Sequence, residues 1–392
     1  MKLLEYQAKE LFNKYGLRVQ KSIILTDAGE AEKQVESAGL TYPLVIKAQI
    51  PSGGRGKAGG IRFADNPVAL RETVGALLHT NLKGYEVKKL MVAEKADIIG
   101  EWYLSIVLDR DAKSPRLVFS TLGGVDIEET AKRNPAAIAG LPINPLLGVT
   151  EYAIRYIMSK CGADVCYYDV LKETINKLYR LFMEYSCLLA EINPLGVECD
   201  GKLIAVDGKA DIDDSALYRL PDAAAFRDDL DEYPLAREAR ARGFLYIPMD
   251  KNGRVAAMSN GSGMLMSMID LLKQNGVSPA CGFDLGGGAT KDRISEAVKI
   301  VMSTPGADTL FVSIFGGITR CDEVAGGLNE AFSHIKAGYS ARKTAIVRME
   351  GTNKDKGIEI LNATPGVIIV NSLAEGVEAI ATDELSAGRH KL

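Results

Sequence analysis

The sequence predicts an α/β protein whose C-terminal part is a doubly wound parallel sheet with helices on both faces. Three observations carry this. Strand candidates begin near Val255, Ala280, Thr309, Thr344 and Val367, about 23–35 residues apart, which is the spacing that a strand plus a crossover helix requires. Glycine-bearing turns follow three of those strands, at Asn260-Gly261-Ser262-Gly263, Gly286-Gly287-Gly288 and Gly316-Gly317-Ile318. Before residue 211 the rhythm is less regular and includes a hairpin signal. Five parallel strands connected by crossover helices make a flavodoxin-like domain, although the pattern does not give their order.

The remaining elements follow in chain order. Leu4, Ala8, Leu11, Phe12 and Tyr15 share one helical face, and Gly16 sits where a capping glycine belongs. Residues 44–48 read as a strand, followed by the glycine-rich loop 51–60. Residues 90–93, 103–108 and 116–120 are further strands, and helical periodicity returns near 170–185. Residues 188–193 and 203–207 form a hairpin, with Asp200-Gly201 as a two-residue turn. Between 211 and 242, eight acidic residues precede Arg237, Arg240 and Arg242. That segment reads as a polar linker, and it divides the chain into 1–236 and 237–392.

Composition excludes several classes of function. A chain of 392 residues has room for two to four domains and buries its cores without disulfide or metal staples. Forty-seven Lys+Arg against 51 Asp+Glu leave a formal charge of −4, which excludes nucleic-acid binding driven by overall basicity. No apolar run approaches the ~20 residues of a membrane span, and the charged opening lacks the core of a signal peptide. The six cysteines form no C-x-x-C pair and no zinc pattern with the three histidines. Reduced thiols and a cytoplasmic location are expected.

Chemistry concentrates in three places. The loop 53–60 carries five glycines with Arg55 and Lys57. Backbone N–H groups of such a loop can wrap phosphate oxygens while the cations add charge; otherwise it is a flexible surface loop. It is not a Walker A sequence. Lys47, at the end of the preceding strand, supports the phosphate reading. In the hairpin, a two-residue turn sets Asn193 opposite Gly208 and Asp207 opposite Pro194. Two oxygen donors on neighbouring rungs suit Mg²⁺, which takes few protein ligands beside phosphates and water; alternatively they only end the strands. Glu191 lies two residues before Asn193, on the same face of a regular strand. The third place is the edge of the C-terminal sheet, where the glycine turns gather backbone donors and helix N-termini that favour an anion. His79, His334 and His390 lie outside these loops, no G-x-S-x-G elbow is present, and no covalent acceptor stands out.

At these residues the chain resembles the β-subunit family of succinyl-CoA synthetase (succinate–CoA ligase), over nearly its whole length. The resemblance rests on L-x-E-Y-Q-A-K-E-L-F at the start, S-G-G-R-G-K-A-G-G at 52–60, E-I-N-P-L at 191–195 with V-D-G-K at 206–209, D-L-G-G-G-A-T-K at 284–291, and I-F-G-G-I-T-R-C-D at 314–322. It implies an N-terminal ATP-grasp domain, a C-terminal flavodoxin-like CoA-ligase domain, Mg²⁺, and ATP (or GTP) as substrate. It also implies an α-subunit partner that carries the CoA site and a phosphorylated histidine, in an αβ or α2β2 assembly. By motif, Lys47, Gly54, Arg55, Gly56 and Glu101 contact the nucleotide, and Asn193 and Asp207 hold Mg²⁺. Glu191 steadies the phosphohistidine, and Asn260, Gly317, Ile318 and Thr319 bind the acid.

The chain departs from the family at two of these places. Where relatives often have a nucleotide-side glutamate, either Ala93 replaces it or Glu94 takes the role by a one-residue shift. Thr319 stands where they commonly have Val or Met; its hydroxyl is either neutral or reads a polar group that succinate lacks. A ligase for malate or another substituted acid shares the architecture. A nucleotide-sensing subunit without turnover is the alternative of another class, and the intact Lys47, Asn193 and Asp207 argue against it.

Overall fold

The computed structural model describes residues 1–124, 127–230, 232–338 and 344–388. Two compact units divide the chain, Met1–Asp231 and Glu232–Leu392. The helix Pro234–Ala241 lies wholly in the second unit, because Ala239, Leu235 and Ala236 pack into its core.

The N-terminal unit is built on two antiparallel sheets. In the first, β1 (Ser22–Leu25), β2 (Leu44–Ala48), β3 (Ile61–Ala64) and β6 (Leu90–Glu94) run in the order β1-β6-β2-β3. Every residue of β2 is buried, as an interior strand of a covered sheet demands. Leu44, Ile46, Leu90 and Val92 meet Leu70 and Val74 of the helix Pro67–Leu77. A two-stranded ribbon, β4 (Asn81–Leu82) with β5 (Tyr85–Glu86), precedes β6.

The second sheet contains β7 (Ile98–Asp109), β8 (Ser114–Ser120), β9 (Ile138–Pro142), β10 (Cys187–Glu198) and β11 (Leu203–Ala205), with β12 (Gly208–Ile212) also on β10. Helix Tyr168–Glu184 covers it with Leu171, Ile175, Leu178 and Phe182, spaced i, i+4, i+7, i+11. Helix Glu5–Lys14 ends as the sequence predicts. Gly16 has φ +75°, its N–H donates to Asn13 and the Leu17 N–H donates to Phe12, which together make a Schellman cap.

Residues 211–230 are not a free linker. Asp222 pairs with Lys14 at 2.6 Å and Asp214 with Arg227 at 2.9 Å, and Asp229 takes both the Tyr6 hydroxyl and Lys89. The acidic run expected to be solvated is a strap, because basic and phenolic groups of the first helix and sheet meet it.

The C-terminal unit holds β13 (Leu245–Pro248), β14 (Val255–Ser259), β15 (Pro279–Asp284), β16 (Thr309–Gly316), β17 (Thr344–Gly351) and β18 (Val367–Ile369) in the order β13-β15-β14-β16-β17-β18. The five predicted strands are parallel in the flavodoxin order 2-1-3-4-5. The sixth strand, β13, is an antiparallel edge added to β15. One face packs Ala257, Phe311 and Ile346 against helices Ser262–Gln274 and Leu373–Gly388. The other packs Met258, Val312 and Val347 against helices Lys291–Met302 and Cys321–Gly338. Crossover helices therefore lie on both faces, and the C-terminal ends of the strands form an open edge.

Candidate active site

The hairpin register decides where the oxygen donors fall. Glu191 pairs with Lys209 and Ile192 with Gly208, then Leu195 with Ala205. This is one residue out of step with the predicted two-residue turn. The Glu198 N–H donates to Lys202 and the Gly201 N–H to Glu198, both at 2.9 Å, and Gly201 has φ +79°. The loop is therefore the three-residue Cys199-Asp200-Gly201, closed by a glycine in the left-handed region. Asn193 consequently lies opposite Asp207, not Gly208, and its N–H donates to the Asp207 carbonyl at 3.2 Å. Val206 and Asp207 fall between β11 and β12, where the ladder is interrupted and the chain can turn groups toward β2.

Asp207 lies in a five-residue charge network. Arg55 Nη2 is 3.1 Å from both Asp207 oxygens and 2.7 Å from Glu5 Oε2. Its Nη1 donates to the Ala48 carbonyl at 3.2 Å. Lys47 Nζ donates to Glu5 Oε1 at 2.8 Å and to the Val206 carbonyl at 2.7 Å, and Lys9 stands 3.4 Å from Glu5. The Glu5 side chain is 1% exposed. Burial alone pushes its carboxyl up, but the charges of Lys47, Arg55 and Lys9 outweigh that and hold it far below the usual range. Buried charges persist only where they are paired in this way.

Sequence reasoning missed Glu5 and Lys9. Their signal was an i, i+4 charge pair in line with the buried Phe12, a pattern ordinarily read as a solvated helix face.

A cleft of about 950 Å³ opens over this network. Gly54, Arg55, Gly56, Glu191, Asn193 and Asp207 line it. Among the described residues its charged lining comprises five cations and five carboxylates. The glycine loop is folded, with Gly60 N–H donating to the Arg55 carbonyl at 2.9 Å. Lys47 lies beneath the lining, held by Glu5 and Val206. The Tyr103 hydroxyl donates to Glu191 Oε2 at 2.9 Å, and Asn193 Oδ1 accepts the Gly124 N–H at 2.8 Å.

Two expected nucleotide residues stand apart from the cleft wall. Glu94 accepts the Thr41 N–H and hydroxyl at 2.9 and 3.0 Å. Glu101 packs under Gly124, where an added Cβ would come within 1.9 Å of its Oε2. Among the described residues no cluster of three or more His, Cys, Asp or Glu suits a metal. Asn193 and Asp207 both line the cleft and offer side-chain oxygens, a donor chemistry that fits Mg²⁺, a hard cation that completes its shell with phosphates and water.

The C-terminal unit gathers the remaining predicted residues at its open edge. Asn260 Nδ2 donates to the Phe315 carbonyl at 2.8 Å, and the Phe315 N–H returns to Asn260 Oδ1 at 3.0 Å. Ile318 is 89% exposed. Thr319 is buried, and its Oγ1 accepts the Gly288 N–H at 2.8 Å. The Thr319 hydroxyl oxygen thus meets the glycine turn after β15.

His79 stays out of both regions. His79 is exposed and meets Glu86 at 3.2 Å, a partner brought near by the β4-β5 ribbon. His334 lies in the helix Cys321–Gly338, and His390 lies outside the described residues.

A glycine-and-cation cleft on antiparallel sheets, in one chain with a doubly wound unit edged by glycine turns, defines the class: ATP-grasp joined to CoA-ligase. The ATP-grasp domain family matches residues 2–197, and the CoA-ligase family matches residues 258–382. The chain is 39% identical over 383 residues to the succinate–CoA ligase [ADP-forming] subunit beta of Chloroflexus aurantiacus, covering 96% of this chain and 97% of the relative. It is 37% identical over 361 residues to that of Bacteroides thetaiotaomicron, covering 92% and 94%. The chain belongs to the β-subunit family of ADP-forming succinate–CoA ligase. That is a family of acid–CoA ligases, which form a carbon–sulfur bond with a nucleotide substrate, and β-subunit membership implies an α-subunit partner. An ATP citrate lyase from Methanothrix soehngenii shares the fold at TM-score 0.78 and 15% identity, covering 97% of this chain and 99% of that one. No helix among the described residues is long and apolar enough to cross a membrane.

Proposed function

We propose that this chain is the nucleotide- and Mg²⁺-binding β subunit of a cytoplasmic ligase that converts ATP, succinate and CoA reversibly to ADP, phosphate and succinyl-CoA. The observation that carries the reading is the convergence of Arg55, Asn193 and Asp207 in one cleft, with Lys47 directly beneath. Arg55 and Asp207 form an ion pair at 3.1 Å. An arriving triphosphate draws the Arg55 guanidinium to its oxygens, and the released Asp207 carboxylate joins Asn193 Oδ1 as a metal-binding pair. Mg²⁺ held there supplies charge neutralisation at the phosphates. Lys47 and Arg55 then stabilise charge on the transferring phosphoryl group, so positioning and electrostatics do most of the catalysis.

The γ-phosphoryl group passes to a histidine of the α subunit as ADP leaves. Glu191, oriented by Tyr103, accepts a hydrogen bond from that imidazole. The phosphoryl group moves next to a succinate carboxylate oxygen, forming an acyl phosphate. The CoA thiolate attacks the acyl carbon and phosphate departs. Asn260 and the Gly317-Ile318-Thr319 turn hold the acid.

The test is a coupled assay of the co-expressed α/β complex across a panel of carboxylic acids. The expected outcome is the highest kcat/KM with succinate. A higher value with malate removes the acid assignment, and nucleotide binding without thioester from any acid replaces the enzyme reading with a sensor.

A further inference from the structure

We infer that Thr319 is a positioning residue: it latches the turn after β15 to the turn after β16 and so sets the spacing of the backbone donors that hold the acid. The inference rests on the acid–CoA ligase reading and says how the C-terminal half of that site is kept in shape.

The sheet order makes this contact unusual. β15 and β16 lie on opposite sides of β14, so a link between their following turns passes over the end of β14, where Asn260 lies. Both turns are rich in glycine and so carry few side chains of their own. Gly286 and Gly288 have φ +69° and +71°, in the left-handed region that favours glycine. Gly317 would meet nothing within 4 Å of an added Cβ. Loops of this kind drift unless something ties them.

Each neighbouring turn has its own tether. Asp284 accepts the Gly286 N–H at 2.9 Å and the Ser262 hydroxyl at 2.6 Å, fastening the β15 turn to the start of the helix Ser262–Gln274. Asn260 is bound twice to Phe315, fastening the end of β14 to β16. Thr352 spans from the β17 side, its N–H donating to the Gly316 carbonyl and its carbonyl accepting the Cys321 N–H, both at 2.9 Å. The Thr319–Gly288 bond, at 2.8 Å, links the β15 turn directly to the β16 turn.

Thr319 is 2% exposed while Gly288 is exposed, so the bond is shielded from water on the acceptor side. Gly288 also approaches the Ile318 side chain, 3.5 Å from where its Cβ would lie. An apolar side chain at 319 leaves the Gly288 N–H without this acceptor, and the turns are then tied only further along, where the Lys291 N–H donates to Glu323 Oε2 at 3.0 Å.

The test compares Thr319→Val, which keeps the shape and removes the acceptor, with Thr319→Ser, which restores it, in the co-expressed α/β complex. Thr319→Val should raise the KM for succinate by about three- to tenfold, the size of one net hydrogen bond. The malate-to-succinate ratio of kcat/KM and the KM for ATP should stay unchanged, and Thr319→Ser should recover most of the loss. Amide exchange of a peptide spanning 285–291 should be faster in the valine variant and restored in the serine variant. An unchanged succinate KM, or equal exchange in valine variant and parent, overturns the latch. A shifted malate-to-succinate ratio overturns it as well, because the hydroxyl would then be reading the acid directly. If the parent complex makes no succinyl-CoA, the function reading falls, while the exchange measurement still decides the latch.

Discussion

Asp207 is paired with the Arg55 guanidinium, and the proposed Mg²⁺ would compete with Arg55 for the same carboxylate. Asn193 offers only a neutral oxygen, so it cannot replace the lost charge. Asp207→Ala should therefore cut phosphorylation of the α subunit at low millimolar Mg²⁺ by at least about 100-fold, followed with labelled ATP. Near-normal labelling would remove the metal assignment.

Lys9 gives a pH test of the same network. Burial pushes its ammonium down to about 8, the Lys47 charge adds to that, and Glu5 opposes it. An unfolded lysine titrates near 10.4. Between these values the unfolded chain binds more protons than the folded one, so stability rises with pH over that window. The single tryptophan, Trp102, is buried in the N-terminal unit and reports its unfolding. Urea curves should show a gain of about 2 kcal/mol from pH 7.5 to 9.5, and Lys9→Met should flatten it.

At the scale of elements, the three-residue turn sets the chemistry of the hairpin. Deleting Cys199 leaves a two-residue Asp-Gly turn and slips the register by one, which sends alternate side chains to the opposite face. Partner phosphorylation should fall as far as in Asp207→Ala, while the thermal transition of the C-terminal unit, followed by calorimetry, stays in place. A deletion variant that still phosphorylates its partner would show that the register is not what aligns Asn193 with Asp207.

This hairpin also shows what the sequence makes legible. The first helix, β2 and the C-terminal βα rhythm were readable because their signals are local: a 3.6-residue period with a capping glycine, a short apolar run, and evenly spaced glycine turns. The register was not, because the third turn residue is Cys199, which carries no turn signature. β13 escaped for a similar reason. It is four residues long, buries only Tyr246 and ends in Pro248, as an edge strand can. Asn193 and Asp207 were legible as a pair, but Glu5 was not. Its meaning comes from Lys47 and Arg55, more than 40 residues away, and no local pattern announces a carboxylate beneath a phosphate cleft. The Thr319 position was legible while its direction was not, since only the fold brings Gly288 to it.

At the scale of the molecule, the chain has two units, and the proposed mechanism leaves the phosphoryl acceptor to a partner. His79 sits exposed against Glu86 and is not among the described residues that line the cleft. Purified alone, the chain should bind ATP in calorimetric titration yet make no acyl-CoA. Mass spectrometry should find no stoichiometric phosphohistidine at positions 79, 334 or 390. Phosphate at any of them would mean that the chain carries its own acceptor.

The balanced lining of the cleft has a consequence for how quickly nucleotide arrives. Among the described residues five positive and five negative side chains line the cleft, so a tetra-anion approaching from solution meets little net field. Electrostatic guidance, which accelerates association and fades with ionic strength, contributes little here. Attraction begins only at contact, once phosphate oxygens compete with Asp207 for Arg55. Stopped-flow association of a fluorescent ATP analogue should therefore change by less than about threefold between 0.05 and 0.5 M salt, where a strongly steered encounter slows far more. Capture in this cleft is then governed by the exchange of ion partners inside it, and a steep salt dependence would mean that charges elsewhere on the surface draw the nucleotide in.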